Sequence, residues 1–194
     1  MKLSILVCSL PNRLQNFSVI QELTKQAEGL PVQVLYLGDN KSMTVGEKRN
    51  KLIDIADGEF ICFVDDDDRV DPYYVRSIYD AIIHESKTPL NLVTFEASVK
   101  INNGPSKICK YSPVIQGDYN TEDFYYRLPN HLMVWRKDFV EKFPEINCGE
   151  DAQFGKIMKK KLEENGLYQN YTVCEILKVL YHYDFNSTTT ETQK

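Results

Sequence analysis

The sequence predicts an α/β fold, a mostly parallel central sheet flanked by helices, on three observations. Apolar runs and amphipathic stretches alternate as β-α-β-α-β over residues 3–64, the pattern that right-handed crossovers turn into a parallel sheet. The apolar runs LSILVCS, VQVLYL and EFICFV are close to continuous, as strands covered on both faces are. Directly after the third run stand Asp65, Asp66, Asp67 and Asp68, at the carboxyl end where such sheets take their ligands.

Each element has its own signal. Residues 3–9 form the first strand, a short β-rich run with a turn signal after it. Residues 14–27 carry a helical stripe of Leu14, Phe17, Ile20, Leu23 and Ala27, ended by Gly29 and Pro31. Residues 32–37 are a second strand, closed by Gly38-Asp39-Asn40. Residues 46–56 read as a helix with Leu52, Ile53 and Ala56 inward, and 59–64 as the third strand. After Asp71-Pro72, residues 73–84 form a helix with Val75, Ile78, Tyr79 and Ile82 on one side. Strands follow at 91–100 and 107–116, with a turn at Asn102-Asn103-Gly104-Pro105. Residues 131–135 make a strand, 137–143 a short helix, 151–165 a helix with Phe154, Ile157, Met158 and Leu162 inward, and 171–184 one or two strands. The expected organisation is a single domain over 1–185, with a Ser/Thr-rich tail at 186–194.

Composition bounds the function. With 194 residues, 42% hydrophobic and 26% charged, the chain is an ordinary globular domain rather than a disordered one. It carries 23 Lys and Arg against 28 Asp and Glu, a net charge of −5, which argues against a general binder of phosphate backbones. No apolar run approaches the roughly 18 residues of a membrane span. The segment MKLSILVCSL is followed at once by Pro11, Asn12 and Arg13 without a small-residue cleavage site, so it reads as a mature strand. The five cysteines are scattered and no CxxC pair exists; neither a disulfide framework nor a zinc site is indicated, and a cytoplasmic location is the expectation.

The aspartate run asks for an explanation, because adjacent like charges repel. A hard divalent cation is the usual remedy; magnesium or manganese binds through one or two carboxylates plus substrate phosphates. A solvated acidic turn that caps the next helix is the structural alternative. A second acidic pair, Glu150-Asp151, opens the helix of 151–165. There a carboxylate suits the helix cap and the helix dipole.

The segment from Gly58 to Val75, GEFICFVDDDDRVDPYYV, resembles the nucleotide-binding strand and DXD motif of family 2 glycosyltransferases, which have the GT-A fold. Lys48-Arg49-Asn50 is similar to that family's Ala-Arg-Asn segment, with Lys48 in place of Ala, and SILVCS at 4–9 is similar to its first strand. The family's Asp-Asp-Gly-Ser after the second strand is altered here to Gly38-Asp39-Asn40-Lys41-Ser42, in which Asp39 matches. The resemblance is dense over 3–75 and sparse beyond, and the short chain resembles compact phage-encoded members. It implies a nucleotide-binding half (1–75) and an acceptor-binding half (76–185).

The resemblance also implies roles. Asp67 would be the principal ligand of Mn2+ or Mg2+, with Asp65 near the metal and the ribose, and Asp66 and Asp68 behind them. Asp39 would approach the base or ribose, and Pro11 and Arg13 would border the base. Lys48 and Arg49 would contact the nucleotide or diphosphate, their structural alternative being a solvated helix face. Gly149-Glu150-Asp151 resembles the family's Glu-Asp motif, so Asp151 would be the catalytic base that takes the acceptor hydroxyl's proton, with Glu150 as the alternative base or an acceptor contact. His131 would touch the donor or acceptor sugar. His182, in a Tyr- and Ser-bearing C-terminal segment, would join the metal or diphosphate.

The expected activity is metal-dependent, inverting transfer of a sugar from a nucleotide-diphosphate donor to an acceptor hydroxyl on a glycan, a protein or hydroxymethylated pyrimidine in DNA. If the gene is phage-borne, the setting is the host cytoplasm. A nucleotidyltransferase that forms sugar nucleotides is one alternative, disfavoured because Leu10-Pro-Asn-Arg-Leu14 lacks the glycines that cradle a triphosphate. A non-catalytic nucleotide-sugar binding module is the other. The basic run Lys156, Lys159, Lys160 and Lys161, and the aromatics and prolines between Tyr111 and Pro129, are candidate walls of an acceptor cleft.

Overall fold

The computed structural model describes residues 1–10, 18–84, 90–166 and 173–185. Pro11, Arg13, the start of the 14–27 helix, residues 171 and 172 and the tail at 186–194 lie outside them. The first half follows the expected alternation: β1 (Leu3–Ser9), α1 (Ser18–Ala27), β2 (Val32–Gly38), α2 (Val45–Ile55) and β3 (Phe60–Phe63). β1 sits between β2 and β3, parallel to both. Leu3, Ile5, Leu6 and Val7 of β1 are fully buried, and all four residues of β3 are buried, so these two apolar runs are core strands covered on both faces; β2, at the sheet edge, buries only Val32 and exposes Tyr36.

Beyond Asp68 come β4 (Arg69–Val70), α3 (Tyr74–His84), β5 (Leu92–Ile101), β6 (Lys107–Tyr111), β7 (Tyr119–Asn120), β8 (Phe124–Arg127) and β9 (Val134–Arg136). Then come a 3-10 turn (Lys137–Phe139), α4 (Glu150–Glu164) and β10 (Val173–Phe185). The described strands join into one sheet in the order β2-β1-β3-β9-β5-β6-β8-β7. β9 is antiparallel to both β3 and β5. β10 runs parallel along the length of β5 and pairs its Tyr181 and His182 with Val70 and Arg69 of β4.

Three local expectations change. The strand expected at 107–116 ends at Tyr111, where Ser112-Pro113 follows and proline removes a ladder donor. The short helix expected at 137–143 is only the 3-10 turn. Beyond it the backbone of Phe143 is claimed at both ends by the Asn50 side chain, at 2.8 Å and 3.0 Å, and Pro144 disfavours helical backbone at the residue before it. The strand expected at 131–135 begins later, at Val134, because Asn130 to Met133 form a turn closed by Met133 N–H on the Asn130 carbonyl.

α2 positions the site. It starts with a capping box, Thr44 and Glu47 each satisfying the other's backbone N–H. Gly46, Arg49 and Asn50, spaced i, i+3 and i+4, share one face and are buried. That face docks the segment leading into α4: the Gly46 N–H donates to Ile146 O, the Val45 N–H to Asn147 Oδ1, and Asn50 holds Phe143. Lys48 leaves the same helix toward the ends of β1 and β2.

Candidate active site

The four aspartates have separate fates. Asp66 is buried and accepts from Ser9 Oγ at 2.8 Å, which ties the ends of β1 and β3 together. Asp68 is buried and accepts from Tyr181 Oη at 2.7 Å, while that hydroxyl accepts from the Asp65 N–H at 3.0 Å. Burial, and then the charge of Asp65, push the Asp68 carboxyl well above the ordinary range. Asp65 is half-buried and meets Arg49 NH2 at 3.4 Å and His131 Nε2 at 3.1 Å. Asp67 is exposed. Repulsion along the run is therefore relieved largely by protein partners, where the sequence alone suggested a cation.

A folded-state carboxyl with a raised pKa stabilises the fold at pH below its unfolded value and loses that contribution as pH climbs through the folded one. In chelating buffer, Asp68→Asn should therefore raise the melting temperature at pH 7 by about 2–4 °C, on the order of 1 kcal/mol. The gain should shrink toward pH 4. A lower melting temperature at pH 7 would show that Asp68 is held as a charged group.

Lys48 and Asp39 form a buried pair, Nζ to Oδ1 at 2.7 Å. Lys48 also donates to the Ser9 carbonyl, and Asp39 accepts from Ser42 and the Met43 N–H. Burial works against the Asp39 charge, but these donors outweigh it and hold the carboxyl at about 2. Lys48 and Arg49 are thus not a solvated helix face. Their heads are internal fasteners, one at the loop after β2 and one below the acidic run.

Arg49 joins two acidic motifs that lie far apart in sequence. Besides Asp65, its NH1 meets Glu150 Oε1 at 3.1 Å. Its guanidinium carbon is 5.5 Å from the Phe63 ring centre and 5.3 Å from that of Phe143, a cation-π seat. Glu150, the first residue of α4, is buried; burial pushes its carboxyl upward against the pull of Arg49. Asp151 beside it is half-buried, and its Oδ1 accepts from the Ala152 N–H.

Asp65, Arg49, His131, Glu150 and Asp151 all line one cleft of about 860 Å³. Its outer walls are Tyr111, Tyr125 and Arg127 from β6 and β8, Tyr183 from β10, and Lys156, Lys159 and Lys160 from α4. Gly155 lets α4 sit close to this floor, since an added Cβ would lie 3.3 Å from the Pro129 carbonyl. Trp135 is buried, donates to the Asn130 carbonyl at 2.9 Å and meets Phe154 edge-on, which makes it part of the core.

The structure does not bring His182 to this cluster. Tyr181 and Tyr183, its neighbours on β10, face the acidic run and the cleft, so strand alternation turns His182 to the opposite face. The tyrosines are the site residues that sequence reasoning missed, and their Tyr-x-Tyr spacing is the signal that one strand face presents both. Among the described residues, no group of three or more Asp, Glu, His or Cys is gathered to hold a metal ion alone. The exposed carboxylate of Asp67, next to Asp65, nevertheless offers hard oxygen donors of the kind that hold magnesium or manganese when a diphosphate completes the shell.

No curated protein sequence matches the chain significantly. Among solved structures, it is similar to TarS 1-349 of S. aureus, at 19% identity and a TM-score of 0.56 over 95% of this chain and 60% of that one. It is also similar to the same TarS fragment in complex with UDP-GlcNAc, at 17% identity and a TM-score of 0.51 over 96% of this chain and 59% of the other. The fragment in complex with UDP gives 16% and 0.51 over 96% and 61%. The chain thus spans about 60% of the length of these TarS fragments, and at such identity the likeness establishes the fold, GT-A. Among the described residues no helix is long and apolar enough to cross a membrane. The family profile for glycosyl transferase family 2 matches residues 18–139, more than half of the chain, and the protein belongs to that family.

Proposed function

We propose that the protein transfers a sugar from a nucleotide-diphosphate donor to a hydroxyl seated in the cleft, with inversion at the anomeric carbon. The observation that carries this reading is the single cleft in which Asp65, from the aspartate run, and Asp151, at the start of α4, are bridged through Arg49 and Glu150. Asp151 takes the proton from the acceptor hydroxyl as it attacks the anomeric carbon. The nucleotide diphosphate departs from the opposite side. Asp39 and Lys48 fix the loop that borders the nucleotide. Asp67, with Asp65, would hold Mn2+ or Mg2+, which supplies charge neutralisation for the leaving diphosphate.

TarS is crystallised with UDP and UDP-GlcNAc, so uridine donors are the first to test. Calorimetry should show UDP binding that strengthens at least about tenfold on adding Mn2+, and Asp67→Ala should remove that gain. Failure of UDP, GDP and other nucleoside diphosphates to bind with any divalent cation would overturn the reading.

For the acceptor, the tyrosine walls favour a saccharide strand over duplex DNA. Lys159 and Lys160 face Glu163 and Glu164 one turn on, which leaves little net positive charge for the many phosphate contacts that a duplex offers. Transfer assays on free saccharides and on hydroxymethylated duplex DNA separate the two.

A further inference from the structure

We infer that Arg49 is a positioning residue that couples the donor end of the cleft to the base, and that Glu150 is its anchor rather than the base itself. The inference rests on the reading of Asp151 as base and goes beyond it, because it assigns the neighbouring acid and a buried arginine a common task. Arg49 is buried and its guanidinium reaches carboxylates from two elements, Asp65 after β3 at 3.4 Å and Glu150 at the start of α4 at 3.1 Å. An arginine fork can span two such partners while a lysine ammonium is a single point of charge. Phe63 and Phe143 pack edge-to-face at 5.5 Å and flank the guanidinium.

The first turn of α4 is thereby pinned twice. Glu150 is held by Arg49, and Phe154, one turn on, stacks on Phe143 at 4.0 Å. Phe143 is itself fixed by Asn50, the residue after Arg49. Asp151 lies between the two pins and lines the cleft. Glu150 borders the cleft but is buried and engaged by Arg49, so it is better placed to hold the helix end than to take a proton from an acceptor. Because Asp65 is shared between Arg49 and the donor side of the cleft, drawing Asp65 toward the donor leaves the guanidinium more fully to Glu150. Donor binding then tightens the turn that carries Asp151.

Steady-state kinetics on Glu150→Gln, Arg49→Lys and Asp151→Asn test this, with melting curves as the folding control. Glu150→Gln keeps the shape of the anchor and removes its charge. The expected result is a fall in kcat of about 10- to 100-fold, the scale of a small misplacement of a reacting group, with the donor KM changed less than about threefold. Arg49→Lys should show the same split, and the double variant should be no worse than the worse single one, as for residues that act as a unit. If Arg49→Lys fails to fold, Glu150→Gln decides alone. The inference is overturned if Asp151→Asn is inactive while Glu150→Gln is either fully active or equally inactive. An active Asp151→Asn would instead overturn the base assignment, and the inference with it.

Discussion

Replacing Asp151 by Asn lowers kcat by about 10²–10⁴-fold, the range in which a positioned general base contributes, while nucleotide affinity stays unchanged. The expectation follows from where Asp151 sits. It opens α4 as a half-buried residue lining the cleft, and among the acidic residues at that helix end it is Glu150, not Asp151, that is consumed by a buried ion pair. Asparagine keeps the size and can still accept from the Ala152 N–H as Asp151 does, so the fold should be indifferent. The measurement is transfer to the accepted hydroxyl compared with nucleotide binding by calorimetry. A variant that retains more than about a tenth of kcat would remove Asp151 from the reaction.

Gly46→Ala should lower the melting temperature by about 5–10 °C, or about 2–3 kcal/mol, and should reduce kcat by about 10²-fold. The sign is opposite to what helix propensity gives. Alanine inside a helix is normally better than glycine by about 1 kcal/mol. Here a Cβ on Gly46 would lie 1.9 Å from the Pro144 carbonyl oxygen and 2.8 Å from its carbon, both backbone atoms that cannot rotate away. Relief requires α2 and the 143–147 segment to part. The Gly46-to-Ile146 hydrogen bond and the Asn50 clamp on Phe143 would go with them, and the route to Glu150 and Asp151 would shift. Thermal melting and kinetics on the same sample check both halves; an unchanged melting temperature would show that the two segments are not tightly docked.

The half of the fold before Asp68 is legible in the sequence because burial on both faces leaves a plain mark: strands such as LSILVCS have little choice but to be apolar throughout. The region from Lys107 to Phe143 is much less so. β7 has two residues, both exposed, and β8 has four half-buried ones, too short and too evenly wetted to show a period of two. β4, another two-residue strand, depends on β10, more than 100 positions later.

The candidate site divides in the same way. The aspartate run and Glu150-Asp151 stand out as local words. What neutralises them does not, since Ser9, Arg49, His131 and Tyr181 come from four segments and none has a pattern that names its partner. The basic side chains on α2 illustrate the limit. Local reading offers Lys48 and Arg49 either a solvated surface or a ligand, and the third choice, a buried partner across the fold, exists only once the chain has folded.

The relay from the Asp65 amide through the Tyr181 hydroxyl to Asp68 also sets an order in time. The ladders of β1 with β2 and β3 use only strands made early, while the outer edge of β3 waits for β9. Tyr181 is made 116 residues after Asp65. Until it emerges, the Asp68 carboxylate lacks the hydroxyl it accepts from, so fragments that stop short of β10 should pair β1 with β2 and β3 yet hold the acidic turn loosely.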